Sequence, residues 1–165
     1  MHVFIANDHG GYRLKKLFVQ KLRQDGHTVT DCGCDSEKIV RYPYYAAQVA
    51  SAVSEGWADR GILICSTGIG MSVAANKFPG VRAALVCDSY TARRTREHND
   101  SNILCIGGQT TGDALALDIL DVWMHTVFLG GRHVISLDLI QELERQNLTG
   151  DCWNPGDRER WQPET

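Results

Sequence analysis

Cys65 ends a short apolar run, Gly61 to Cys65, and is followed at once by Ser66-Thr67-Gly68-Ile69-Gly70 and a helix-like segment from Met71 to about Phe78. That order of strand, small-residue loop and helix brings a thiol to a point where the first amides of a helix lack intrahelical partners and favour negative charge. A thiolate in such a place is a base or a nucleophile. The same amides can also hold an oxyanion or a phosphate. The plainer alternative is a buried strand-end thiol, because unpaired cysteine packs well in cores. The hydroxyls of Ser66 and Thr67, with the close backbone approach that Gly68 and Gly70 permit, weigh towards a site. No Gly-Lys-Ser/Thr closes the loop and the dinucleotide glycine fingerprint is incomplete, so it is neither a Walker loop nor a nicotinamide-type motif.

Three further groups carry chemical potential. Asn7-Asp8-His9-Gly10-Gly11 follows the first apolar run, where Asp8 and His9 could bind hydroxyls or a phosphate or move protons. The plainer alternative is that Asp8 does no more than cap the next helix. His98-Asn99-Asp100 lies between a helix and a strand, and reads either as an acid/base group facing a cleft or as a cation stabilising a helix end. Arg132 and His133 follow Gly130-Gly131 and suit a phosphate or carboxylate, or simply a solvated helix start.

The elements that must hold these residues alternate. Strands are expected at Val3–Ala6, His27–Asp31, Gly61–Cys65, Ala83–Cys87 and Ile103–Ile106. Helices are expected at Tyr12–Gln24, Tyr44–Glu55, Met71–Phe78, Thr91–Arg96, Gly112–Val127 and Ser136–Gln146. Such alternation implies βαβ units and an α/β domain, a single three-layer unit with a five-stranded parallel sheet covered on both faces. Ligands of these sheets bind beyond the carboxyl ends of the strands, where Asp8, His9 and Cys65 to Gly70 fall. The last helix has no strand left to cover and is expected to pack on a partner subunit. Residues 1–148 form the expected domain, and 149–165 a polar tail containing Trp and Pro.

The chain has 165 residues, enough for one domain with a proper core. Its net charge of -3 argues against a nucleic-acid or anionic-membrane surface, and no apolar stretch reaches the ~20 residues of a membrane span. Six cysteines include no Cys-x-x-Cys pair, so no zinc site is expected, and with no complete nucleotide-binding loop no cofactor is expected either. The N-terminus turns polar too early for a signal peptide, and reduced thiols in a cytoplasmic protein follow as the expectation.

Asp8-His9-Gly10-Gly11, Tyr42-Pro43, Cys65 to Gly70, Ala74-Ala75-Asn76-Lys77, Arg96 to Asn102 and Gly130-Gly131-Arg132-His133 stand in the order found in the ribose-5-phosphate isomerase B family, which includes the galactose-6-phosphate isomerase subunits. The chain resembles that family from about residue 1 to 147. The resemblance implies a Rossmann-like (flavodoxin-like) fold and a metal-free aldose–ketose isomerase of sugar phosphates, its site at a homodimer (or tetramer) interface and completed by both chains. It implies Cys65 as the base moving a proton between C1 and C2, and Thr67 as the hydroxyl passing a proton between the two oxygens. His98, with Asp8 nearby, would open the sugar ring. The amides from Gly68 through Ile69, Gly70 and Met71 to Ser72 would stabilise the enediolate, and His9 and Arg132 would hold the phosphate. Tyr42 and Asn99 would line the sugar.

The chain departs from that pattern at the anion-binding positions. Gln109 and Ser136 stand where arginines are usual, Arg41 replaces an aspartate before Tyr-Pro, and Ser66 replaces a glycine. Each missing charge-assisted hydrogen bond costs ~1.5–3 kcal/mol if phosphate sits in the usual way. A pentose, tetrose or hexose phosphate therefore stays open beside a non-phosphorylated sugar or a sugar acid paired with Arg41, and so does a non-catalytic subunit of such an enzyme.

Overall fold

Alternate residues of a strand face opposite sides of a sheet, and the apolar runs here are long enough to bury both. The computed structural model describes residues 1–147; the tail at 149–165 lies outside the described residues. Strands β1 (His2–Asn7), β2 (Thr28–Asp31), β3 (Arg60–Cys65), β4 (Ala83–Leu85) and β5 (Ile103–Gly107) form one parallel sheet in the order β2-β1-β3-β5-β4. The three-layer α/β fold is thus the one expected. Its far edge departs from the flavodoxin order, 2-1-3-4-5, because β5 lies between β3 and β4. In register, Leu63 pairs with Cys105 and Cys65 with Gly107.

Helices α1 (Tyr12–Gln24), α4 (Ser89–Asn99) and α5 (Asp113–His125) share one face, packing on Val3, Ile5, Ile62, Ile64, Leu104 and Ile106. Helices α2 (Tyr42–Ser54) and α3 (Ile69–Ala75) cover the other, over Leu63, Cys65, Ile103 and Cys105. In α1 the buried residues Leu14, Phe18 and Leu22 recur at i, i+4 and i+8, which places them on one face of a helix with 3.6 residues per turn. Each such burial is worth about 1.5–3 kcal/mol.

Local chemistry moves several boundaries from those expected. Helix α2 starts at Tyr42 rather than Tyr44, because a proline is tolerated in the first turn, where its missing N–H is not needed. Helix α4 starts at Ser89 because the Asp88 carboxylate accepts the Thr91 N–H at 2.7 Å, and β4 correspondingly stops at Leu85. It runs on through His98 and Asn99 to end at Asp100, whose φ of 44° is left-handed. Helix α3 starts at Ile69, because Gly68 at φ 78° turns the chain into it.

Helix α6 (Arg132–Asn147) buries none of its residues; it packs along α4, and its Glu144 accepts the Gly80 N–H of the loop before β4 at 2.9–3.0 Å. Val134, Ile135, Leu139, Ile140 and Leu143 are exposed on it. Among the described residues, no helix is long and apolar enough to cross a membrane.

Candidate active site

The chain leaves β1, β3 and β5 at the same edge, and glycines let the three loops touch. A Cβ on Gly10 would stand 2.9 Å from the Ser66 nitrogen, and one on Gly107 would stand 2.9 Å from Thr67 Cα. One on Gly108 would stand 2.7 Å from the Gly10 carbonyl oxygen. The β5 loop is tied to the Cys65 loop by two backbone bonds, Gly108 N–H to Cys65 O at 2.7 Å and Gln109 N–H to Ser66 O at 3.0 Å. The Gly107-Gly108 contribution was not anticipated, although two glycines directly after an apolar run are its visible signal.

Cys65 closes β3 with its side chain buried, and its Sγ accepts the N–H of Gly68 at 3.1 Å. Thr67 is exposed beside it, its Oγ1 accepting the Ile69 N–H at 3.4 Å. The amides of Gly70 and Met71 fall in the first turn of α3, where no preceding turn supplies an acceptor. Ser72 does not belong with them: its N–H is taken by Gly68 O at 3.1 Å and its hydroxyl by Ala83 O at 3.2 Å. The Met71 side chain is fully buried in the core, so only its backbone faces the loop chemistry. The Tyr42 ring lies over Gly70, where a Cβ would come within 2.8 Å of the ring's Cζ.

Asp8 is buried and caps the turn His9–Gly11 through Gly10 N–H at 2.9 Å, so the capping reading holds. Burial raises its carboxyl above the usual range, against the opposing pull of the Gly10 amide and of His9. His9 Nδ1 accepts the Val40 N–H at 3.5 Å, joining the β1 loop to the segment before α2. Asn7, not singled out in the sequence, braces the same corner: its Nδ2 donates to Asp8 O at 2.7 Å and to Cys34 Sγ at 3.2 Å. Buried Lys15 holds that segment from the other side, donating to Cys34 O at 3.0 Å and pairing with Asp31 at 3.0 Å. Arg41 stands exposed at the N-cap of α2, next to Tyr42.

The remaining expected residues gather at the opposite edge of the sheet. His98 and Asn99 lie in the last turn of α4, which runs antiparallel to the strands. The neighbouring Asn102 accepts the Gly61 N–H through its backbone oxygen at 2.8 Å and the Arg82 N–H through its side chain at 2.8 Å, at the starts of β3 and β4. Cys65 lies four residues further along β3 than Gly61, about 13 Å at the usual rise. Arg132 opens α6, and His133 beside it stacks on His98, ring centroids 4.2 Å apart and planes 11° from parallel. Leu129 N–H to Glu97 O at 3.1 Å fastens this segment to α4. Asn99 uses its carbonyl on Arg82 at 3.0 Å, while its side chain is exposed. One chain therefore holds two half-sets, Asp8, His9, Tyr42, Cys65 and Thr67 at one edge, His98, Asn99 and Arg132 at the other.

Residues 3–140 match the family model described as Ribose/Galactose Isomerase. The chain belongs to the ribose/galactose isomerase family. Ribose-5-phosphate isomerase B of Escherichia coli is 44% identical over 139 residues, covering 84% of this chain and 93% of that protein. The solved ribose-5-phosphate isomerase B of Clostridium thermocellum superposes with a TM-score of 0.87 at 48% identity, covering 88% of this chain and 99% of that one. The Mycoplasma genitalium enzyme, solved with ribulose-5-phosphate bound, gives a TM-score of 0.86 at 38% identity, with coverage of 88% and 97%. This ribose/galactose isomerase family member is an aldose–ketose isomerase, as the resemblance implied.

Proposed function

We propose that the chain interconverts an aldopentose 5-phosphate and its 2-ketose, with Cys65 as the base, in sites that two copies build together. The carrying observation is the pair of half-sets at opposite edges of one sheet. Cys65 and Thr67 have the groups for proton transfer, and His98 and Arg132 those for ring opening and anion binding. Within one chain they lie too far apart to touch one sugar. A second copy, set so that its α4–α6 edge meets the Cys65 edge of the first, supplies what each lacks. The exposed apolar residues of α6 are a ready contact surface for that copy.

The chemistry balances without a redox partner. His98 of one copy moves the proton of the C1 hydroxyl to the ring oxygen as the bond between C1 and that oxygen breaks, which frees the C1 aldehyde. Cys65 thiolate of the other copy removes the proton from C2; the C–H pair becomes the C1=C2 bond and the carbonyl pair moves to O1. The N–H groups of Gly70 and Met71 stabilise that oxyanion; one such donor is typically worth about 2.7–4 kcal/mol of barrier. Thr67 passes the O2 proton to O1, and the Cys65 thiol returns its proton to C1, leaving the ketone at C2. Asp8 and His9 hold the sugar from the β1 side.

The second reading, a non-phosphorylated sugar or sugar acid, draws on exposed Gln109 and Ser136, which carry no charge, and on exposed Arg41 at the mouth. Turnover of matched free and phosphorylated sugars decides between them. Preference for the phosphate ester supports the first reading, and equal or better use of the free sugar or uronate contradicts it. Turnover of the phosphate ester by Cys65→Ala at the wild-type rate would remove the base from its role.

A further inference from the structure

We infer that His133 is a positioning residue for His98, its ring lying face to face on the His98 ring and fixing the plane in which that imidazole meets a sugar bound by the partner copy. The inference rests on the reading of His98 as the ring-opening group. His98 sits in the last turn of α4, and the contact that sets its ring plane is the stack, centroids 4.2 Å apart and planes 11° from parallel. Rotation of the imidazole about its side-chain bonds would carry both nitrogens away from a ring oxygen, and a parallel neighbour at that distance removes the rotation. General acid–base transfer needs donor and acceptor within about 2.6–3.2 Å, so the orientation decides whether transfer happens.

The backbone around the stack is built to hold it. Gly130 and Gly131 have φ of 65° and 56°, and His133 N–H donates to Gly130 O at 3.1 Å as α6 begins. Leu129 N–H on Glu97 O, and Arg96 Nε on Thr126 O at 3.3 Å, anchor the incoming segment to α4 one and two residues before His98. The charges facing His133 are Glu97 and His98 on α4 and Arg132 on α6. Partial shielding from water, then His98 and Arg132, hold the His133 imidazole below the usual histidine range, with Glu97 opposing.

Two substitutions separate the face of His133 from its nitrogens. His133→Phe keeps a flat ring over His98, and His133→Ala removes it. Both are made in a Cys65→Ala background, where proton transfer at carbon is stopped and ring opening is left to be seen. Exchange between the α- and β-anomers of ribose 5-phosphate is then followed by NMR saturation transfer with full-length protein. Cys65→Ala accelerates the exchange, and adding His98→Ala abolishes the acceleration. Adding His133→Ala lowers it by about tenfold to a hundredfold, the usual cost of a misplaced catalytic group, while adding His133→Phe leaves it within about twofold. Equal loss with Phe and Ala assigns His133 a role through its nitrogens and overturns the inference, as does full acceleration with Ala. If Cys65→Ala gives no acceleration, or His98→Ala does not remove it, the ring-opening reading itself fails, and the inference with it.

Discussion

The N–H of Gly68 points at the sulfur of Cys65 from 3.1 Å, so the turn that starts α3 also supplies the nearest hydrogen-bond donor to the thiol. Strand end, loop and helix start are thus one unit. The donor is in place only because Gly68 adopts φ 78°, which side chains avoid.

Gly68→Ala tests that unit. Its Cβ would lie 2.6 Å from Leu85 Cδ1 and 2.9 Å from the carbonyl carbon of Ile106, in addition to the left-handed strain. At about 1–2 kcal/mol for the backbone alone, Tm should fall by roughly 2–8 °C. The kcat should fall at least about tenfold, because one charge-assisted donor to the thiolate is displaced. A variant with full activity and an unchanged Tm would show that the turn is not needed in this form.

Asp8 gives a pH prediction with a definite sign. Burial raises its folded-state value above the ordinary 3.8, so the native chain keeps this proton to higher pH than the unfolded chain does. The group therefore favours the folded state at pH below 3.8, and that contribution is lost as pH rises through the raised value. Asp8→Asn cannot lose it. Urea unfolding across the acid range should show the variant gaining on the wild type as pH rises from 3.8, even as its turnover of cyclic aldose falls. A stability difference that does not change with pH would contradict the burial account.

The α6 surface makes a prediction about assembly. Ile135 and Leu139 are 65% and 62% exposed in the single chain, so charging them costs little unless something covers them. The Ile135→Glu, Leu139→Glu double variant should keep its helical circular dichroism, sediment as a monomer and lose turnover, although Cys65 is untouched. An active monomer would refute the need for a second copy.

Much of this was legible in the chain. The five apolar runs with intervening amphipathic helices dictated the parallel sheet, and Cys65 followed by hydroxyls and glycines marked the loop that joins β3 to α3. Helix starts were less legible, because Pro43, Gly68 and Asp88 act through backbone angles and single cap bonds that periodicity does not encode. The separation of His98 from Cys65 comes from α4 running antiparallel to the strands, which spacing along a chain does not display. The insertion of β5 between β3 and β4, and the bracing by Asn7 and Lys15, depend on contacts between segments distant in sequence.

The proposed active site takes Cys65 from one copy and His98 from another. Cys65→Ala and His98→Ala chains, each inactive alone, are unfolded together, refolded as an equal mixture and assayed for isomerisation. Random pairing into dimers makes half of the assemblies mixed, and each mixed dimer has one site with both residues intact, so about a quarter of wild-type activity should return. A mixture that forms mixed dimers, shown by mass-tagged chains, yet stays as inactive as its components would contradict the account.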